Sequence, residues 1–70
     1  MNSVNDVLKA VMHDHKLSQA DIARLFDVSP QAIYNKFRRG TWDIDEVIKI
    51  LDSVGCRLVI ESGSIKRYYF

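Results

Sequence analysis

Leu17-Ser18-Gln19-Ala20-Asp21-Ile22-Ala23-Arg24-Leu25-Phe26-Asp27-Val28-Ser29-Pro30-Gln31-Ala32-Ile33 is the stretch on which the fold turns. Ser18 supplies a hydroxyl N-cap and Asp21 a carboxylate three residues on, a capping box with Asp in the usual Glu position. Ile22, Ala23, Leu25 and Phe26 recur at helical spacing and form an inner side. Asp27-Val28-Ser29 interrupts the pattern. Ser29 can cap a further helix, and Pro30 suits its first position, where a missing N–H costs nothing. That helix runs to about Arg38 or Arg39, and Gly40 can end it. Two short helices joined by three residues are therefore predicted, with small Ala23 letting them cross closely.

Outward from this stretch the signals stay helical on both sides. Ser3 and Asp6 cap a first helix in which Val4, Val7, Leu8 and Val11 recur at helical spacing as far as about His15. Asp43-Ile44-Asp45-Glu46 is another capping box. It opens a fourth helix with Ile44, Val47, Ile48, Leu51 and Val54 inward, stopped by Gly55. On the wheel of this helix Ile50 falls to one side of the stripe, so a C-terminal hairpin or a second subunit is expected to cover it. The pattern then changes. Cys56 to Glu61 is rich in β-branched and apolar residues, Ser62-Gly63 is a turn signal, and Ser64 to Phe70 ends in Tyr68-Tyr69-Phe70, which together predict a β-hairpin. An isolated hairpin is marginal in water, so this one must pack on the helices or on another chain.

Seventy residues, 47% of them hydrophobic, describe one globular domain with a limited core. No apolar run approaches the roughly 20 residues of a membrane span, and Met1-Asn2-Ser3-Val4-Asn5-Asp6 lacks the features of a signal peptide. A cytoplasmic protein without membrane association is the expectation. Cys56 is the single cysteine, which leaves no internal disulfide and makes a zinc cage within one chain implausible. The net charge of +1 says little about partners, but its distribution says more. Lys36, Arg38 and Arg39 stand without an acid between residues 29 and 42. Asp43, Asp45, Glu46 and Asp52 outweigh Lys49 in the fourth helix, and Arg57, Lys66 and Arg67 outweigh Glu61 beyond it.

Drawn at about 100° per residue, the third helix has Ile33, Phe37 and Pro30 on its inner side. Gln31, Asn35 and Arg38 fall opposite, with Ala32 and Arg39 on one flank and Tyr34 on the other. This face combines bidentate amides, a cation and small or aromatic groups. Asn and Gln can pair with adenine N6/N7, Arg with guanine O6/N7, and Ala or Tyr can touch a thymine methyl. No acid obstructs an approach to phosphate. A solvated face with cations near the helix C-terminus accounts for the same residues equally well. The closely crossing partner helix favours the first reading.

The stretch from Leu17 to Ile33 resembles the helix-turn-helix of the Cro/C1 phage repressor family, also called the XRE family. The likeness rests on Gln19 opening the first helix, Ile22-Ala23 inside it, Val28-Ser29 at the turn, and Ala32 followed by Ile33 in the recognition helix. With the flanking helices it covers about residues 3–55. It implies a mainly α fold: a four-helix Cro/C1 repressor-like domain over 1–55, its helix-turn-helix unit at 18–39, with the hairpin at 56–70 as a dimerisation element of the same domain. By position, Gln19 would meet a phosphate, and Gln31, Ala32 and Asn35 would face base edges. Tyr34, Lys36 and Arg38 would lie at groove walls or backbone beside Arg39, and Ser29 would cap the recognition helix and touch phosphate. Two positions depart from the family pattern. Lys36 stands where many members have an apolar residue, with Phe37 supplying that contact one position later, and Pro30 stands where many members place a base-contacting side chain.

The resemblance implies sequence-specific binding of duplex DNA as a homodimeric transcriptional repressor. Two recognition helices would enter successive major grooves about 34 Å apart on a pseudo-palindromic operator. Ile50, Leu58, Ile60, Tyr68, Tyr69 and Phe70 are the candidate dimer contacts. The alternative is a protein-binding module on the same scaffold, such as an antitoxin, an anti-CRISPR protein or another inhibitor. No catalytic constellation, cofactor motif or metal-ligand set is present in the sequence. His13 and His15, two apart on a helix, point to different faces, and His15 is expected to be a partly buried or capping histidine. Cys56 reads as a small core residue, and Trp42 as an apolar staple before the fourth helix, with a DNA-backbone contact as second choice. Asp43, Asp45 and Glu46 occupy a first helical turn, where the helix dipole favours acids.

Overall fold

Four helices and one hairpin follow these local signals in the computed structural model, which describes residues 3–63 and 66–70. The elements are α1 (Val4–His15), α2 (Gln19–Phe26), α3 (Pro30–Arg39), α4 (Ile44–Ser53), β1 (Val59–Ser62) and β2 (Lys66–Tyr69). Each helix starts at a side-chain cap: Ser3, Ser18, Ser29 and Asp43 accept from the backbone N–H three residues on. In α1, α2 and α4 the reciprocal acid completes a capping box, so two otherwise orphaned donors are satisfied at each start. At the other ends, Lys16, Asp27 and Gly40 turn left-handed and their N–H groups bond back to the last-turn carbonyls.

The core is made where the helices meet. Leu8, Ile22 and Ile50 are completely buried, joined by Ala23, Ile33 and Phe37, with Met12, Leu17, Leu25, Phe26, Trp42 and Val47 packed around them. Each fully buried Leu or Ile contributes about 1.5–3 kcal/mol relative to exposure. Ala23, 2% exposed, sits at the α2–α3 crossing, where a small side chain allows close approach.

Several inward assignments are corrected by this packing. Ile50 was expected to need cover from a hairpin or a second subunit, yet it lies in the helical core and is closed to any dimer contact. Ile44, expected inward, is 48% exposed. The buried face of α4 runs through Val47, Ile50 and Leu51, and Ile44 lies at its edge. In α1 only Leu8 is buried; Val11 is half-buried, and Val4 and Val7 are exposed. Pro30 is also exposed at the first position of α3. His15 is exposed, with its Nε2 3.4 Å from the Sγ of half-buried Cys56. A Cys56 packed wholly in the core is therefore not what forms.

The hairpin pairs Val59 with Tyr69, Ile60 with Tyr68, Glu61 with Arg67 and Ser62 with Lys66. The expected start of the first strand at Cys56 moves to Val59. The expected start of the second, Ser64, lies outside the described residues. Every residue of both strands is exposed. The chain extends 41 × 23 × 20 Å, consistent with a hairpin projecting from the helical body. Among the described residues no helix is long and apolar enough to cross a membrane.

Candidate nucleic-acid interface

Ile33 and Phe37 anchor α3 in the core, and their direction fixes where the rest of the helix points. Gln31, Tyr34, Arg38 and Arg39 are exposed, while Ala32 and Asn35 are half-buried. The structure thus brings together the residues expected opposite Ile33. Gln31 Nε2 donates to Asn35 Oδ1 at 3.3 Å, one helical turn away. This bond leaves the Gln31 oxygen and an Asn35 N–H free, an acceptor beside a donor on one face. Such a pair matches the N6 donor and N7 acceptor of adenine.

Clefts flank α3 on both sides. One, of about 290 Å³, is lined by Ala32, Asn35, Lys36, Arg39 and Thr41. The other, of about 210 Å³, is lined by Lys9, Gln19, Tyr34, Phe37 and Arg38. No carboxylate lines either cleft. Gln19 opens α2 and lines the second cleft, where two cations also stand. Ser29 uses its hydroxyl oxygen to cap α3, accepting from Ala32 N–H at 3.2 Å.

Lys36 lines the first cleft and also reaches α4. Its ammonium is 2.5 Å from Glu46 Oε2 on α4 and 5.8 Å from the centre of the Trp42 ring. Its charge is thereby matched within the chain, which leaves Arg38 and Arg39 as the cations of α3 directed outward.

Three contributors escaped the sequence reading. Lys9 reaches the second cleft from α1, and Thr41 completes the first. Asn5 is the third: its amide donates to the Phe37 carbonyl at 2.5 Å and accepts from Trp42 Nε1 at 2.8 Å. One side chain therefore ties α1 to the last turn of α3 and to the connection before α4. Trp42 also packs edge-on against Phe37, with ring centres 5.0 Å apart. Its indole N–H is committed to Asn5 in this arrangement. Nothing in local periodicity marks Asn5, because its partners lie more than thirty residues away.

The backbone N–H of Ser18, then its hydroxyl, with Arg24 alongside, hold the Asp21 carboxyl below its ordinary range. These interactions belong to the α2 cap. Among the described residues no group of three or more His, Cys, Asp or Glu is arranged to hold a metal ion.

No family model, curated protein or solved structure matches this chain.

Proposed function

We propose that the chain is a Cro/C1-like helix-turn-helix domain that binds duplex DNA sequence-specifically, with α3 in the major groove. The observation that carries the reading is the outward face of α3, where the hydrogen-bonded Gln31–Asn35 pair stands beside Arg38 with no acid among them. Gln31, Ala32 and Asn35 meet base edges. Gln19, Ser29, Tyr34, Arg38 and Arg39 meet the backbone or groove walls. Lys36 orders the α3–α4 junction through Glu46. The unit acts as a homodimer on a pseudo-palindromic operator and serves as a cytoplasmic transcriptional repressor.

A second reading, a protein-binding module, is favoured by one observation: Ile60, Tyr68, Tyr69 and Phe70 are all exposed on the hairpin. Salt dependence separates the two. Duplex binding weakens linearly in log salt, with a slope of about −0.9 per phosphate neutralised. Titration of a fluorescent duplex carrying a selected site, at several salt concentrations, is the test. Asn35→Ala is expected to reduce discrimination against mismatched sites by about 1–3 kcal/mol while leaving the salt slope unchanged. Equal binding to every duplex by wild type and Asn35→Ala would remove α3 as a reader.

A further inference from the structure

Away from α3, one pair of reactive side chains has no part in the function above. Cys56 is the chain's single cysteine, and the Nε2 of His15 stands 3.4 Å from its Sγ. The two residues are 41 positions apart, so only the folded chain brings them together. His15 belongs to the last turn of α1, and Cys56 lies in the connection from α4 to β1. Neither residue lines a cleft beside α3.

A histidine nitrogen at this distance from a thiol can take its proton, which turns a weak nucleophile into a strong one. The surrounding charges single out His15. The carbonyl end of α1 favours a cation at His15. Cys56 follows the carbonyl end of α4, and its own N–H bonds to the Leu51 carbonyl at 2.9 Å. A thiolate there is disfavoured unless a cation stands beside it. The guanidinium of the next residue, Arg57, is stacked 5.3 Å from the centre of the Tyr69 ring. His15 is thus the cation placed to meet the thiolate. Among the described residues no third His, Cys, Asp or Glu joins the pair to hold a metal ion, which leaves proton transfer as its chemistry.

The pair is also reachable. His15 is exposed and Cys56 half-buried. Among the described residues beyond its chain neighbours, none comes within 4 Å of where a Cβ on Gly55 would stand, so the space beside Cys56 is open. With one thiol per chain, a group joined to Cys56 cannot be displaced by a second thiol of the same molecule.

We propose that Cys56 is a reversible thiolation site, activated by His15, whose substrate is a low-molecular-weight disulfide. His15 Nε2 accepts the thiol proton, and the thiolate attacks one sulfur of the small disulfide. A new S–S bond to Cys56 forms as the original S–S bond breaks. The other sulfur leaves as a thiolate and takes the proton from the imidazolium. The Cys56 sulfur is oxidised and the departing sulfur reduced. A free small thiol runs the exchange backwards. The added group stands where the helical body passes into the hairpin, clear of α3, so the site is independent of the DNA recognition proposed above.

Mass spectrometry of the full chain in excess oxidised glutathione at about pH 7 tests the proposal by following the gain of one glutathionyl group over time. The folded wild type should react about fivefold or more faster than the same chain unfolded in urea, although folding half-buries the thiol. His15→Ala should lower the folded rate on the order of tenfold, with helical circular dichroism unchanged. His13→Ala should react as the wild type does, Cys56→Ser should gain nothing, and reduced glutathione should restore the wild-type mass. A folded wild type that reacts no faster than its unfolded chain overturns the proposal, and this comparison decides even if His15→Ala fails to fold. A folded His15→Ala chain that keeps the wild-type rate overturns it equally.

Discussion

Between Ser18 and Gly40 the chain buries Ile22, Ala23, Ile33 and Phe37 and caps all four helix ends, whereas every residue of the two hairpin strands is exposed. The two regions have similar apolar content but use it differently. In the helical pair the apolar residues meet one another across a crossing and set a polar face outward. In the hairpin they stand side by side, Val59-Ile60 on one strand and Tyr68-Tyr69 on the other, and all stay exposed. A region that satisfies itself can spend its surface on recognition. One that does not leaves its apolar side chains at the surface, as Ile60, Tyr68 and Phe70 are.

This contrast makes unequal demands on substitutions. Ile22→Ala removes a completely buried side chain and should cost about 2–5 kcal/mol in urea or thermal unfolding. In so small a domain that approaches the whole stability. Asn5→Leu should follow at about 1–3 kcal/mol, because the Phe37 carbonyl and the Trp42 N–H both lose their partner. If Asn5→Leu unfolds at the wild-type midpoint, the clasp on the end of α3 does not contribute.

The α2 cap adds a pH signature. The Asp21 carboxyl is held below its ordinary range by Ser18 and Arg24. Its contribution to stability is therefore complete above the ordinary carboxylate range and is lost as pH falls through the lowered folded value. Asp21→Asn should flatten part of the acid limb of stability against pH, measured from about pH 5 down to pH 2. An unchanged acid limb would assign that loss to other carboxylates. Smallest of all, Val59→Thr on the exposed hairpin should change monomer stability by less than about 0.5 kcal/mol. A cost near that of Ile22→Ala would mean that the hairpin is part of the folding core, and the comparison would fail.

The helices and their boundaries were legible because their causes are local. A cap needs a residue and its neighbour three positions on, and Ser3, Ser18, Ser29 and Asp43 each had one. The outward set on α3 was legible for the same reason, since one helix wheel fixes which residues oppose Ile33. What was not legible depends on which side of a helix finds neighbours. A wheel zeroed on Ile44 set Ile50 aside, although Ile50 is in the core and Ile44 is not. Lys36 read as a surface cation because Glu46 reaches it only after α3 and α4 fold together. Lys9 joins the second α3 cleft only through the packing of α1.

Selection of bound duplexes from a random library, using the full chain at moderate salt, tests the central claim most directly. It predicts enrichment of a two-fold-related motif with half-sites about one helical turn apart. The same selection with Gln31→Ala and Asn35→Ala should lose preference at defined positions in each half-site. A library that emerges unenriched, or a motif that both variants recover unchanged, would contradict recognition of duplex DNA by α3.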